Sequence, residues 1–183
     1  MEYKEVVRII ADILKSFDSE LPVHKAFQPG LGPFGEPQIV SLIAARMSAN
    51  GISCRTKRTP DLAIGQEWAI EFKIVRPFGD NSKEAENWSV NMLHPYAGNV
   101  SLIGDAIKLS RLEGYLGKGL FVIGFEHSTP MISLDPLIKS FEAISKQVMN
   151  ISLAERIEER RAGLCHPVHQ VLRCIGWQLM PAA

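Results

Sequence analysis

Cysteine is scarce in this chain, and the count is odd. Cys54, Cys165 and Cys174 are too few to form a disulfide framework, and a leftover thiol argues for a reducing compartment. Neither sign of charge is in excess. Twenty Lys and Arg residues are matched by 20 Asp and Glu, so there is no global basic field. A nucleic-acid partner would have to be held by a local patch or by a bound cation. No apolar run approaches the length needed to span a bilayer, so no membrane partner is expected. The opening Met1-Glu2-Tyr3-Lys4-Glu5 does not read as a signal peptide, and a cytoplasmic location is expected. Internal repeats and low-complexity tracts are missing too. What is present suits one globular domain over residues 1–183 with a sizeable core: 46% of residues are hydrophobic and 22% charged.

Residues 2–17 carry Val6, Ile10, Ile13 and Phe17 at helical spacing, with Glu2, Lys4, Arg8 and Lys15 off that stripe. This predicts an amphipathic helix that covers the core, with a dimer helix as the other reading. Residues 18–35 are rich in Pro and Gly and read as loop. A second helix starts at Glu36-Pro37, where the missing proline N–H costs nothing, and stops at Asn50-Gly51. Glu36, Val40, Ile43 and Met47 share its buried side. Residues 52–56 predict a strand. Asn99 to Tyr115 predicts a helix, with Asp105 and Lys108 three apart and free to pair on its surface. The apolar run Leu120 to Phe125 predicts a central strand, and Asp135-Pro136 opens a further helix. Residues 152–161 read as a short charged helix, and 168–180 as strand-like pieces.

The segment that organises the chain is Thr59 to Val75. It reads as two apolar strands joined near Gly65-Gln66. Asp61, Glu71 and Lys73 interrupt an otherwise core-like pattern. Strand alternation puts Glu71 and Lys73 on one face. Two carboxylates and an ammonium on a half-buried hairpin cost much to desolvate unless a metal or substrate offsets them. A two-residue turn would send Asp61 and Glu71 to opposite faces. An odd loop, most simply Gly65-Gln66-Glu67, or a bulge near Pro60, would oppose them on one face.

Pro60-Asp61 and Glu71-Phe72-Lys73 resemble the signature of the PD-(D/E)XK nuclease superfamily, with Glu36 in the place of the family's glutamate on the preceding helix. The resemblance covers roughly residues 36–141. It implies an α/β fold, a restriction endonuclease-like sandwich with a central mixed β-sheet flanked by α-helices. It implies a metal-dependent endonuclease that hydrolyses DNA phosphodiester bonds, restriction- or repair-type, and a homodimer as partner arrangement. Asp61, Glu71 and Lys73 would be catalytic. Asp61, Glu71, Glu36 and the Phe72 carbonyl would hold the metal. Hard oxygen donors suit Mg²⁺, with Mn²⁺ as the alternative. For Glu36, a carboxylate that simply favours a helix N-terminus is an equal reading.

Arg55, Lys57 and Arg58 precede the motif and read either as a solvated basic turn or as a phosphate-positioning patch. Lys108 is a further phosphate candidate. The long segment 76–98 leaves the motif strand and reads as a flap, on which Trp88, His94 and Tyr96 either stack on bases or anchor the loop. Cys165, His166, His169 and Cys174 invite a zinc reading, but their spacing matches no common zinc pattern, and ordinary packing is the stronger expectation. His166 or His169 as a phosphate contact is the remaining reading. The competing function is a catalytically inactive nuclease-fold module that binds nucleic acid or a protein.

Overall fold

The apolar stripe at the start of the chain forms α1, Tyr3–Glu20, and lays Val6, Ile10, Ile13 and Leu14 on the sheet. It covers the core, packing on the last two strands of the chain. These statements come from a computed structural model that describes residues 1–20, 28–96 and 101–181.

After α1 come α2 (Glu36–Ala49) and three strands, β1 (Cys54–Thr56), β2 (Leu62–Ile64) and β3 (Trp68–Val75). Two helices follow, α3 (Val90–Leu93) and α4 (Leu102–Ser110), then β4 (Gly117–Glu126) and α5 (Asp135–Gln147). The chain closes with β5 (Ile157–Ala162) and β6 (Val171–Gln178). The strands form one six-stranded mixed sheet in the order β1-β2-β3-β4-β6-β5. The central pair, β3 and β4, is parallel, and the other four pairings are antiparallel.

Helices cover both faces, as a sheet with a parallel centre requires. On one side α1 and α2 pack on Ile70, Phe72, Phe121, Ile123 and Phe125. On the other, α3, α4 and α5 pack on Ala69, Val75, Leu120, Val122 and Trp177. The architecture is therefore an α/β sandwich. Among the described residues no helix is long and apolar enough to cross a membrane.

Several expectations need correction. Residues 152–161 do not form a helix: Ile157–Ala162 is the edge strand β5. Its charged residues suit an exposed edge, where they deter further pairing. Arg161 reaches Glu159 at 2.9 Å and Asp12 of α1 at 2.7 Å. The first strand is shorter than 52–56, and α4 is shorter than 99–115. Asn99 and Val100 lie outside the described residues, and Ser101 caps α4 by accepting the Gly104 N–H at 3.1 Å. The supposed loop at 18–35 begins later, because α1 runs to Glu20; residues 21–27 lie outside the described part. The 76–98 segment is largely irregular, as read, but holds the short helix α3; Ala97 and Gly98 lie outside the described residues.

Candidate functional site

The β2–β3 hairpin pairs Ile64 with Trp68, Ala63 with Ala69 and Leu62 with Ile70. The loop is therefore Gly65-Gln66-Glu67, an odd number of residues, and Gly65 takes the left-handed φ of +52°. One further step of this register opposes Asp61 to Glu71. Directly opposed residues share a face. Ala69 and Val75 belong to the α3–α5 core, so Glu71 and Lys73, between them in alternation, look toward α4.

β2 begins only at Leu62, after Asp61, and this leaves the outer edge of β3 beyond Ile70 without a strand. Two carboxylates take its place. The Phe72 N–H donates to Asp61 Oδ2 at 2.8 Å, and the Ile74 N–H donates to Glu36 Oε2 at 3.1 Å. Glu36 comes from the first turn of α2, in the layer behind the sheet, and reaches past the strand edge. Its other oxygen lies 3.6 Å from Lys73 Nζ. The stripe that predicted an inward Glu36 is thus realised, with the side chain only half-buried.

Lys73 is held from several sides. Its ammonium donates to the Phe72 carbonyl at 3.0 Å and lies 2.8 Å from Asp105 Oδ2. Asp105 is 1% exposed, and its second oxygen is 2.5 Å from Lys108 Nζ. The Asp105–Lys108 pair exists, but it is not a surface pair. It sits at the mouth of the site, with Lys108 half-exposed. Asp105 is a site residue that the sequence reading missed. The sign was available: Leu102, Asp105 and Leu109 fall on one helical stripe, and both leucines are buried.

Four carboxylates, Glu36, Asp61, Glu71 and Asp105, face two ammonium groups, Lys73 and Lys108. The imbalance shows in the protonation of Glu71. Burial, the charges of Asp61 and Asp105, and a hydrogen bond with Asp61 push its carboxyl up to about 9. Lys108 pulls weakly the other way. Glu36 is also raised, by burial first, against the attraction of Lys73. For Lys73 burial works to lower the pKa, but Asp105 and Glu36 outweigh it and raise it. Glu71 Oε1 is buried without a hydrogen-bond partner.

Buried charge alone does not mark a site in this protein. Arg173, 2% exposed, forms a second network with Glu126 (3.0 Å), Glu158 (2.9 Å) and Asp135 (2.7 Å). Arg160 lies 3.7 Å from Glu126, and Arg156 lies 4.0 Å from Glu158. With Glu142, 3.5 Å from Arg156, four carboxylates there meet three guanidinium groups, close to balance, as a structural tie between α5, β4, β5 and β6 would need. The hairpin site is short of positive charge by comparison.

That shortage tests the fit of a divalent ion. Asp61, Glu71 and the Phe72 carbonyl form a hard, anionic oxygen set with one unpartnered buried oxygen, which suits Mg²⁺ or Mn²⁺. Asp61 and the Phe72 carbonyl are meanwhile engaged by a backbone N–H and by Lys73. Among the described residues, the group of three His, Cys, Asp or Glu side chains with the closest-set ligand atoms lies elsewhere, at Asp80, His166 and His169.

Of the basic patch, Arg55 opposes Ala63, which opposes Ala69, so it shares the face of Glu71. It donates to the Tyr115 hydroxyl at 3.4 Å. Lys57 and Arg58 are exposed in the turn that leads to Asp61. Trp88 is half-buried against the α3–α5 core, while Tyr96 is exposed and meets His94 edge-on at 5.3 Å. The cysteines of the zinc reading do not join the histidines: Cys174 is buried in the α1–α2 core and Cys165 is exposed. A cavity of about 450 Å³ extends from Glu36 along Arg76 and Trp88 to Asp80.

Compared with models of protein families, with curated proteins and with solved structures, the chain finds no match in any of the three.

Proposed function

We propose that this protein is a metal-dependent phosphodiesterase acting on DNA, with a restriction endonuclease-like site of the PD-(D/E)XK kind. The observation that carries the reading is the odd hairpin loop. It brings Asp61 and Glu71 to one face beside Lys73, where an even loop would have separated them. Pro60-Asp61, Glu71-Phe72-Lys73 and Glu36 stand in the order of the nuclease signature, and the α/β sandwich is compatible with it.

Asp61, Glu71 and the Phe72 carbonyl would hold the ion, with Glu36 at its margin. A divalent ion bound there would lower the pKa of a water and offset charge on the phosphate. Lys73 supplies fixed positive charge toward the scissile phosphate. Its contacts with Asp105 and Glu36 keep it an ammonium, which suits electrostatic stabilisation and not proton abstraction. Asp105 positions Lys73 and Lys108 together. Arg55, Lys57, Arg58 and Lys108 would meet neighbouring phosphates.

One observation favours a second reading, a nuclease-fold module that binds without turnover. Asp61 already accepts the Phe72 N–H, Lys73 already holds the Phe72 carbonyl and pairs with Asp105, and the raised pKa of Glu71 favours a proton there in place of a cation. A plasmid-nicking assay separates the two. Cleavage with Mg²⁺, abolished by EDTA, supports the enzyme; binding without cleavage under both conditions overturns it.

A further inference from the structure

His166 and His169 are three residues apart with Pro167 between them, and the turn stacks their rings. The centroids are 4.6 Å apart and the planes differ by 23°. Both rings are sealed, at 0% and 1% exposure. Asp80 arrives from the segment after β3, and its Oδ1 lies 3.7 Å from His169 Nδ1. One ligand atom from each of the three falls within 4.8 Å of the others. Donors around a tetrahedral ion stand roughly 3.3 Å apart, from metal–nitrogen distances of about 2.0–2.1 Å. A modest closure would suffice.

Three details point to a missing occupant. His166 Nε2 and His169 Nδ1 are buried without hydrogen-bond partners, which is costly if nothing fills the gap. His169 Nε2 lies 3.0 Å from the Phe78 carbonyl, so that nitrogen donates and Nδ1 keeps its lone pair. A backbone carbonyl behind a ligating imidazole is the usual support for a metal-bound histidine. Gly32 packs against the same nitrogen. A Cβ there would lie 2.3 Å from His169 Nδ1, so this close approach is possible only because residue 32 has no side chain. Gln28 meanwhile holds the other Asp80 oxygen at 2.9 Å.

We propose that Asp80, His166 and His169 form a cation site for a borderline transition-metal ion of the zinc class, separate from the oxygen-lined pair of Asp61 and Glu71. Two imidazoles and one carboxylate prefer such an ion to Mg²⁺, and three protein ligands leave one position open. The ion would tie the base of the flap, at Asp80, to the loop before β6. It would stand at one end of the cavity that reaches Glu36.

Burial lowers the pKa of both rings, that of His169 to about 4, so imidazolium does not compete near neutrality. Arg76, Asp18 and Asp80 are the charged groups acting on His166, and Arg76 and Asp80 those acting on His169. His166 Nδ1 accepts the Val168 and His169 N–H groups at 3.2 and 3.3 Å, which puts the ring proton on Nε2. Coordination through Nε2 moves that proton to Nδ1 and gives up the two long contacts with the Val168 and His169 N–H groups, so the ring binds as a neutral imidazole and no proton is released.

The test uses the full chain, stripped with EDTA and titrated with Zn²⁺ and with Co²⁺. The expected result is a rise in Tm with Zn²⁺ and a visible Co²⁺ absorption band typical of four- or five-coordinate nitrogen–oxygen ligation. Both should vanish in His169→Ala and in Gly32→Ala, which crowds His169 Nδ1 without removing a ligand. Both should survive in Asp61→Ala, and excess Mg²⁺ should not displace the Co²⁺. If His169→Ala fails to fold, Asp80→Asn takes its place as the ligand variant. No Co²⁺ band in the parent overturns the site. So does a band retained in the folded ligand variant and in Gly32→Ala. Neither outcome depends on whether the protein cleaves DNA.

Discussion

Lys73 and Asp105 meet at 2.8 Å from different elements, the strand β3 and the helix α4. The other counter-charge of Asp105 is Lys108, 2.5 Å away. Removing the Asp105 charge would take the close counter-charge from Lys108 and leave Lys73 with Glu36 at 3.6 Å and the Phe72 carbonyl. Asp105→Asn should destabilise the fold by roughly 2 kcal/mol, less than the roughly 3–5 kcal/mol of breaking a fully buried pair, because Lys108 is half-exposed and Lys73 keeps other partners. Urea unfolding measures it. A variant as stable as the parent would show that the two ion pairs contribute little.

Catalysis should fail when any of Asp61, Glu71 or Lys73 is replaced by alanine. Loss of a preorganised electrostatic group costs about a hundredfold or more in rate. Mg²⁺-dependent nicking, with circular dichroism to confirm folding, is the measurement. Three folded variants that nick like the parent would refute the site assignment.

Metal binding should be visible as stabilisation. Mg²⁺ or Mn²⁺ should raise the Tm of the parent and not of Asp61→Ala. A ligand specific to the native state adds ~2.7 kcal/mol at a hundred times its dissociation constant. A titration with DNA present is the stronger version, because a bound phosphate would complete the oxygen set. Equal shifts in both proteins would locate the ion elsewhere.

Glu71 gives the protein a pH dependence with a definite sign. Its folded pKa of about 9 lies above the ordinary 4.5, so the native state binds the proton more tightly than the unfolded chain. The stability from this group is complete below about pH 4.5 and is lost as pH rises through about 9. In EDTA the parent should therefore weaken between these limits, and Glu71→Gln should flatten that part of the curve. Mg²⁺ should restore stability at the alkaline end by replacing the proton. Identical pH curves for parent and Glu71→Gln would show that Glu71 is not the titrating group.

The hairpin was legible in sequence because strand alternation is a parity rule: an odd loop or a bulge near Pro60 lets Asp61 and Glu71 share a face, and the odd loop is the one found. Glu36 was legible for a similar reason, through the spacing of Val40, Ile43 and Met47. Asp105 was not, because an acid three residues before a lysine looks like an exposed helix pair. Its place on the stripe of Leu102 and Leu109 is the sign against that look. β5 was misread because its residues, Ile157 to Ala162, are mostly charged, and an edge strand asks for hydrogen bonds to β6 more than for apolar alternation. The histidine cluster was half-legible. Its two rings are local in sequence, but Asp80 reaches them only through the tertiary fold.

The parallel centre of the sheet has a consequence for the order of assembly. The β2–β3 and β5–β6 hairpins are closed by short connections, whereas β3 meets β4 only after residues 76–116 have crossed over. Loop-closure entropy delays such pairings relative to local ones. Asp61 and Glu71 should thus come together early, on a hairpin still open to water, while Asp105 reaches Lys73 later with α4. During that interval the two carboxylates can be hydrated or can collect a cation before the low-dielectric face closes over them. Pulse-labelled hydrogen exchange would show the sequence, with β2–β3 amides protected before those of α4. Simultaneous protection would mean that the two halves of the site form in one step.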